Sequence, residues 1–230
     1  MISVVIPAYN EEKLLPNCLS ALKRCETKDY EILVLDADSE DNTKKIAGSF
    51  GCKVLKGSRK SVGEARNLGA KAAKGEIVAF MDADSVPCNG WLDLIENAFK
   101  ENHGIVAVGG PTNYGSAKYL LADYPFWINP LTKYFGFYYF SGNNSAYKKD
   151  FFLQQGGFKH IYCEDSEFCK RIGKHRKKML FINNCTMVLS PRRFEQRGFF
   201  RTQIEWFLLN LLINLGIHKQ SKGYSAEITR

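Results

Sequence analysis

No C-x-x-C pair occurs in the chain, and its seven cysteines (Cys18, Cys25, Cys52, Cys88, Cys163, Cys169 and Cys185) are odd in number and scattered. That argues against a disulfide framework and a zinc ribbon, and reads as reduced thiols, buried or incidental, in a cytosolic chain. No uninterrupted apolar run approaches the roughly 20 residues that a membrane-spanning helix needs. The nearest, from Trp206 to Ile217, contains Asn210 and Asn214. The opening Met1-Ile2-Ser3-Val4-Val5-Ile6-Pro7 lacks the basic start of a secretory leader and reads as a first strand. No G-x-G-x-x-G follows that strand, which disfavours a dinucleotide-dependent dehydrogenase. A Gly-rich, Lys-bearing N-terminal loop is missing too, so a nucleotidyltransferase is the weaker alternative. Internal repeats and low-complexity linkers are also absent. One domain with a C-terminal extension follows.

The positive charge is unevenly placed. The 230 residues carry 32 Lys and Arg against 24 Asp and Glu, a net of +8. Residues 1–169 hold 19 basic and 21 acidic side chains, whereas residues 170–230 hold 13 and 3. The body is therefore slightly acidic and the last quarter carries +10. A non-catalytic nucleic-acid binder is the non-enzyme alternative, but acidic clusters in the body would repel phosphates unless a metal intervened.

Apolar runs at Ile2–Ile6, Glu31–Leu35, Lys53–Leu55 and Glu76–Met81 predict strands. Helical spacing fills the gaps between them, at Glu11–Arg24, Thr43–Phe50 and Gly63–Ala73. Alternating strands and helices predict an α/β fold with a mostly parallel sheet, which binds ligands beyond the carboxyl ends of its strands. Acidic or polar clusters stand at three of those ends, around Asn10-Glu11, Asp36–Asp41 and Asp82–Asp84. Further on, a helix from Glu164 to Ile172, strands at Met179–Ile182 and Thr186–Leu189, and an apolar helix at Trp206–Ile217 are expected.

Asp82-Ala83-Asp84 follows an apolar strand, and two carboxylates so spaced can reach one divalent cation and its phosphates. Mg²⁺ and Mn²⁺ favour such a site, with phosphate oxygens and water completing the shell. Glu164-Asp165 offers a general base, although acidic residues also suit a helix start. Arg192-Arg193 offers charge-assisted hydrogen bonds to a diphosphate. Residues 114–140 hold 11 of the 30 aromatic side chains, more than one short segment comfortably buries.

Pro7-Ala8-Tyr9-Asn10-Glu11, Asp36…Ser39-x-Asp41-x-Thr43, Gly63-Glu64-Ala65-Arg66-Asn67-Leu68-Gly69, Asp82-Ala83-Asp84, Gly156-Gly157-Phe158 and Glu164-Asp165 occur in that order. As an ordered set over residues 2–195 they resemble the family 2 glycosyltransferases, inverting enzymes of the GT-A fold. The resemblance implies a UDP- or GDP-sugar donor, a divalent metal (Mn²⁺ or Mg²⁺) and inversion at the anomeric carbon. It implies donor contacts from Pro7, Ala8, Tyr9, Glu11, Asp36, Asp38, Lys60, Arg66, Asp82, Ala83, Asp84, Arg192 and Arg193. Asp82 and Asp84 would hold the metal, and Asp165 would be the catalytic base. Gly142, Asn143, Asn144 and Glu164 would stand on the acceptor side. Asp36-Ala37-Asp38-Ser39 departs from the family's usual D-D-G-S, and Ser190 stands where some relatives carry a metal-binding histidine. The Q-x-x-R-W motif of processive synthases is absent, which points to transfer of a single sugar.

The implied division is a glycosyltransferase domain over 1–198, with donor (1–110) and acceptor (111–198) parts, followed by an amphipathic helix and tail over 199–230. The acceptor is expected to be a lipid or polyprenyl phosphate, a glycan or a small molecule, not a nucleic acid. The aromatics and basic tail predict peripheral contact with the cytoplasmic face of an anionic membrane. Helix 206–217 has packing on the domain or dimerisation as competing roles.

Overall fold

The computed structural model describes residues 1–116, 118–119 and 138–221, and the side chains of 174, 176 and 177 fall outside that description. Seven strands form the main sheet in the order β3 (Lys53–Lys56), β2 (Tyr30–Asp36), β1 (Ile2–Ala8), β4 (Ile77–Phe80), β8 (Ser145–Lys148), β6 (Ala107–Gly109), β9 (Met179–Phe181). The first four are mutually parallel, and β8 runs antiparallel to both β4 and β6. A smaller sheet joins β5 (Ser85–Pro87), β10 (Met187–Leu189) and β7 (Thr112–Asn113). The expected α/β class is the one found.

β1 is buried along its whole length, as a central parallel strand with both faces covered must be. It runs two residues past the expected Ile6, through a proline, because β2 still pairs with it as far as Ala8–Asp36. Val5 accepts from Met81 N–H on the β4 side, so the Pro7 nitrogen faces that side too, beyond the last β1–β4 pair at Val5–Phe80. The missing N–H therefore costs no ladder bond. Alternate residues of β1 feed different cores. Ile2, Val4, Ile6 and Ala8 pack with α1 (Leu15–Leu22) and α4 (Trp91–Glu101). Val5 packs on the opposite face with Ala65 and Ala70 of α3 (Val62–Ala72) and with Phe80. Gly69 lets α3 approach β1, since a Cβ there would lie 2.3 Å from Val5 Cγ1. α1 starts four residues later than the expected Glu11, because residues 11–14 form a turn and Pro16 occupies the first helical turn.

Behind this sheet, α5 (Lys149–Gln154) and α6 (Glu164–Ile172) enclose Phe80, Tyr147, Phe152, Phe158 and Phe168. Five of the thiols are buried and none of the seven is in a disulfide, and burial pushes the Cys52 thiol up to about 11. The five buried cysteines are core residues. Phe140 stacks in the same core between Tyr138 and Phe181. Tyr114 and Tyr119 pack with Phe194, while Tyr124, Phe126, Trp127, Tyr134, Phe135 and Phe137 lie outside the described residues.

The C-terminal helix differs from its expectation. After α7 (Arg192–Arg197), Gly198 at φ +83° turns the chain, and α8 then runs Phe199–Asn214, ending before the left-handed Gly216. Its register packs it on the domain: Thr202 and Ile213 are buried, and Lys170 Nζ donates at 3.0 Å to the carbonyls of both Ile213 and Asn214. α8 is apolar on its inner and outer faces alike, so it is not amphipathic in the expected sense. No helix among the described residues is long and apolar enough to cross a membrane.

Glu167 of α6 is 5% exposed and ion-paired with Arg171 at 2.9 Å and Lys159 at 2.7 Å. Burial alone would raise its pKa, but these two cations outweigh it and hold the carboxyl below its ordinary value. A depressed pKa stabilises the fold above the unfolded value of about 4.3, and that contribution is lost as pH falls through the folded value. Glu167→Gln should therefore cost about 2 kcal/mol at neutral pH. In urea titrations the gap between wild type and variant should close in acid below about pH 4.

Candidate active site

The order β3-β2-β1-β4 means that the chain winds outward from β1 and then returns to its other side. The crevice beyond the carboxyl ends of β1 and β4 is thus a topological switch point. A cleft of about 950 Å³ opens there. Pro7 and Glu11 reach it from β1, and Asp82, Ala83 and Asp84 from β4.

Three carboxylates converge on the β1–β4 side. Glu11 is 4% exposed, its N–H donates to Thr43 Oγ1 at 2.8 Å, and its carboxylate receives Arg192 Nη2 at 2.6 Å. The same Arg192 nitrogen lies 3.5 Å from Asp84 Oδ2. Burial, then the charges of Asp82 and Glu11, push Asp84 up to about 7 against the opposing pull of Arg192 and Arg193. Burial also raises Glu11, more than Arg192 lowers it. By formal count these three carboxylates outnumber Arg192 and Arg193 beside them. Hard oxygen donors with surplus negative charge fit Mg²⁺ or Mn²⁺. Among the described residues no group of three or more His, Cys, Asp or Glu is arranged as a complete metal site. Two carboxylates and a ligand's phosphates would have to share the coordination.

Arg66 crosses the cleft. Its side chain is 4% exposed; Nη2 lies 2.6 Å from Asp82 Oδ1 and Nη1 2.6 Å from Glu164 Oε1. The guanidinium stands 5.8 Å from the Phe158 ring centroid. Burial works against this charge, but Asp82, Glu164 and Asp165 outweigh it and raise the pKa further, so Arg66 is permanently charged. Only a planar fork can serve two carboxylates on opposite walls in this way. Gly142 makes room for it, because a Cβ there would lie 2.6 Å from Arg66 Nη1.

Asp165 sits beside Glu164 at the start of α6. Gly142 N–H and the Tyr139 hydroxyl donate to its Oδ2 at 2.9 and 3.2 Å, and Ser166 N–H donates to Oδ1 at 2.8 Å. Burial, and then the Asp165 charge, keep the Tyr139 phenol well above its ordinary pKa, so it remains a donor. Asn143 also lines the cleft, and its buried Oδ1 has no partner among the described residues.

Not every expected site residue reaches the cleft. Asn144 is 1% exposed and entirely structural: Nδ2 donates to the Pro111 and Cys185 carbonyls at 2.9 and 2.8 Å, and Oδ1 accepts from Trp91 Nε1 at 2.9 Å. Its expected place on the acceptor side is corrected by that orientation. Lys60 is not among the cleft-lining residues; it is exposed and pairs with Glu64 of α3 at 3.8 Å. Asp36 accepts from Ser39 N–H at 3.0 Å and faces Lys44 Nζ at 3.4 Å, while Asp38 is exposed with φ +58°. Ala8 and Tyr9 are buried, with Arg59 5.2 Å from the Tyr9 ring centroid. Arg193 lines the cleft 5.8 Å from the Trp206 ring centroid. Sequence reasoning missed Tyr139 and the α8 wall. Tyr139 lay within the aromatic segment, three residues before Gly142, without a motif of its own.

The chain matches the Glycosyl transferase family 2 profile over residues 3–159. It belongs to that family. Among curated members, Glycosyltransferase AglE of Haloferax volcanii is 32% identical over 121 residues, covering 49% of this chain and 40% of AglE. The poly(ribitol-phosphate) beta-N-acetylglucosaminyltransferase TarP of Staphylococcus aureus is 30% identical over 116 residues, covering 47% and 36%. The chain thus spans well under half the length of these relatives. In fold it is similar to the mannosyltransferase PcManGT of Pyrobaculum calidifontis, solved with GDP-Man and Mn²⁺, with TM-score 0.69 at 20% identity, covering 89% of this chain and 60% of that one. Glucosyl-3-phosphoglycerate synthase of Mycobacterium tuberculosis, solved with Mn²⁺, UDP-glucose and phosphoglyceric acid, gives 0.67 at 21%, covering 94% and 80%. The GT-A architecture is the shared feature.

Within this family member the buried arginine is open to direct test. Arg66→Leu leaves Asp82 and Glu164 unpaired and should lower stability by about 3–5 kcal/mol. Arg66→Lys should recover only a minor part in urea titration, because one ammonium cannot span both carboxylates.

Proposed function

We propose that the chain transfers a single sugar, with inversion, from a UDP- or GDP-sugar to an acceptor oxygen presented at Asp165. The observation that carries this reading is the two-sided cleft: surplus carboxylate charge with Arg192 on one wall, and a positioned carboxylate on the other. Glycosyltransferase-named relatives and the nucleotide-bound fold neighbours support it.

In this reading Pro7 and the turn after β1 bound the nucleotide end, and Asp82 and Asp84 hold a divalent cation. When bound, that cation supplies neutralisation of the diphosphate charge. Arg192 and Arg193 add fixed positive charge beside the leaving group, which becomes more negative as the glycosidic bond lengthens. The acceptor oxygen attacks the anomeric carbon from the opposite face. Its bond to that carbon forms as the bond to the diphosphate oxygen breaks, which inverts the configuration. Asp165 takes the proton. Gly142 and Tyr139 occupy Oδ2, and Oδ1, which among the described residues accepts only the Ser166 N–H, keeps a lone pair for it. Asn143 Oδ1 is available to a sugar hydroxyl. A lipid or polyprenyl phosphate would arrive already ionised, and Asp165 would then orient it.

Calorimetric titration tests the donor side. UDP or GDP should bind with Mn²⁺ present and lose that binding in Asp84→Ala. Asp165→Asn should keep nucleotide affinity while turnover with a hydroxyl acceptor falls about 10²–10⁴-fold. Failure of both nucleotides to bind, or full turnover by Asp165→Asn, contradicts the proposal.

A further inference from the structure

Seven of the chain's exposed large apolar side chains crowd into one C-terminal segment: Phe200, Ile204, Phe207, Leu208, Leu211, Leu215 and Ile217, each 45–77% exposed. The first six follow helical spacing and form a single outward stripe along α8. A stripe of this kind exceeds the scattered apolar exposure of an ordinary surface. At 1.5 Å per residue it is about 22 Å long, too short to cross a hydrocarbon core of about 30 Å but suited to lying along its surface. Ile204, Phe207 and Leu208 belong to the stripe and also line the cleft, so the apolar surface runs without a break into the site that carries Asp165.

Charge decides what covers it. Arg197 and Arg201 reach Glu205 of α8, Arg193 lies 5.8 Å from the Trp206 ring centroid, and Lys219 shares the cleft lining with α8; residues 170–230 carry 13 basic side chains against 3 acidic. Glu205, the one acidic residue of α8, is already shared by Arg197 at 3.6 Å and Arg201 at 3.4 Å. Two copies meeting through α8 would oppose two strongly positive segments, whereas an anionic lipid surface complements both the charge and the apolar stripe.

We infer that α8 docks the protein on an anionic bilayer with the cleft mouth at the lipid surface. The sugar acceptor is then a membrane amphiphile whose head group enters the cleft past Ile204, Phe207 and Leu208. The acceptor half of this inference rests on the sugar-transfer reading; the docking half does not.

Vesicle flotation separates the two. The protein should float with phosphatidylcholine–phosphatidylglycerol vesicles, less so at high salt, and not with phosphatidylcholine alone. Phe200→Glu/Leu211→Glu/Leu215→Glu, at exposed positions outside the cleft lining, should reduce the bound fraction at least about tenfold. Its melting temperature and its nucleotide titration should match wild type. Equal flotation of the variant, or no flotation of the wild type, overturns the docking. So does a concentration-dependent dimer in sedimentation that the variant abolishes. Loss of nucleotide binding in wild type would instead refute the donor reading and leave the docking standing.

Discussion

The site depends on one buried guanidinium. Arg66 leaves α3, passes through the space that Gly142 vacates and joins a carboxylate beyond β4 to one at the head of α6. Burying a lone arginine is costly, and the cost is met only because both partners lie at 2.6 Å and an aromatic face lies beside it. The constraint acts in both directions. Asp82 and Glu164 owe their positions to Arg66, and through the Glu164-Asp165 neighbourhood it sets the distance across the cleft.

Two further devices follow from that clamp. On one wall Glu11, Asp82 and Asp84 converge beside Arg192 and Arg193, and burial, then the neighbouring carboxylates, raise Asp84. In the proposed reading a cation with its phosphates completes this wall. On the other wall, Asp165 has its donors arranged in advance by a backbone N–H and a phenol kept protonated by burial and by the carboxylate itself. In that reading the first wall serves charge neutralisation at a leaving group and the second holds a fixed base.

Much of the β1–β4 side of the cleft was legible from residues alone. Buried parallel strands announce themselves as continuous apolar runs, and acidic residues immediately after such runs can lie only at the sheet's carboxyl edge. Asp82, Asp84 and Glu11 were found this way. Asn144 was misplaced because position along the chain fixes neither side-chain direction nor depth. Asn144 turns inward to satisfy Trp91 and two carbonyls. Composition also misread α8. Its two apolar faces cannot be told from one broad face until the register with Lys170 and α7 is known. Tyr139 went unseen because a functional phenol among many rings has no pattern to mark it.

If Arg66 is the tie between the two walls, Asp82 and Glu164 must be energetically coupled although they share no direct contact. A double-mutant cycle of Asp82→Asn and Glu164→Gln, read by urea denaturation, measures this. Either single variant leaves the guanidinium one carboxylate, and the double variant leaves it none of the pair. The account predicts that the double variant loses more than the sum of the singles, by at least about 1 kcal/mol. Additivity within about 0.5 kcal/mol would contradict it.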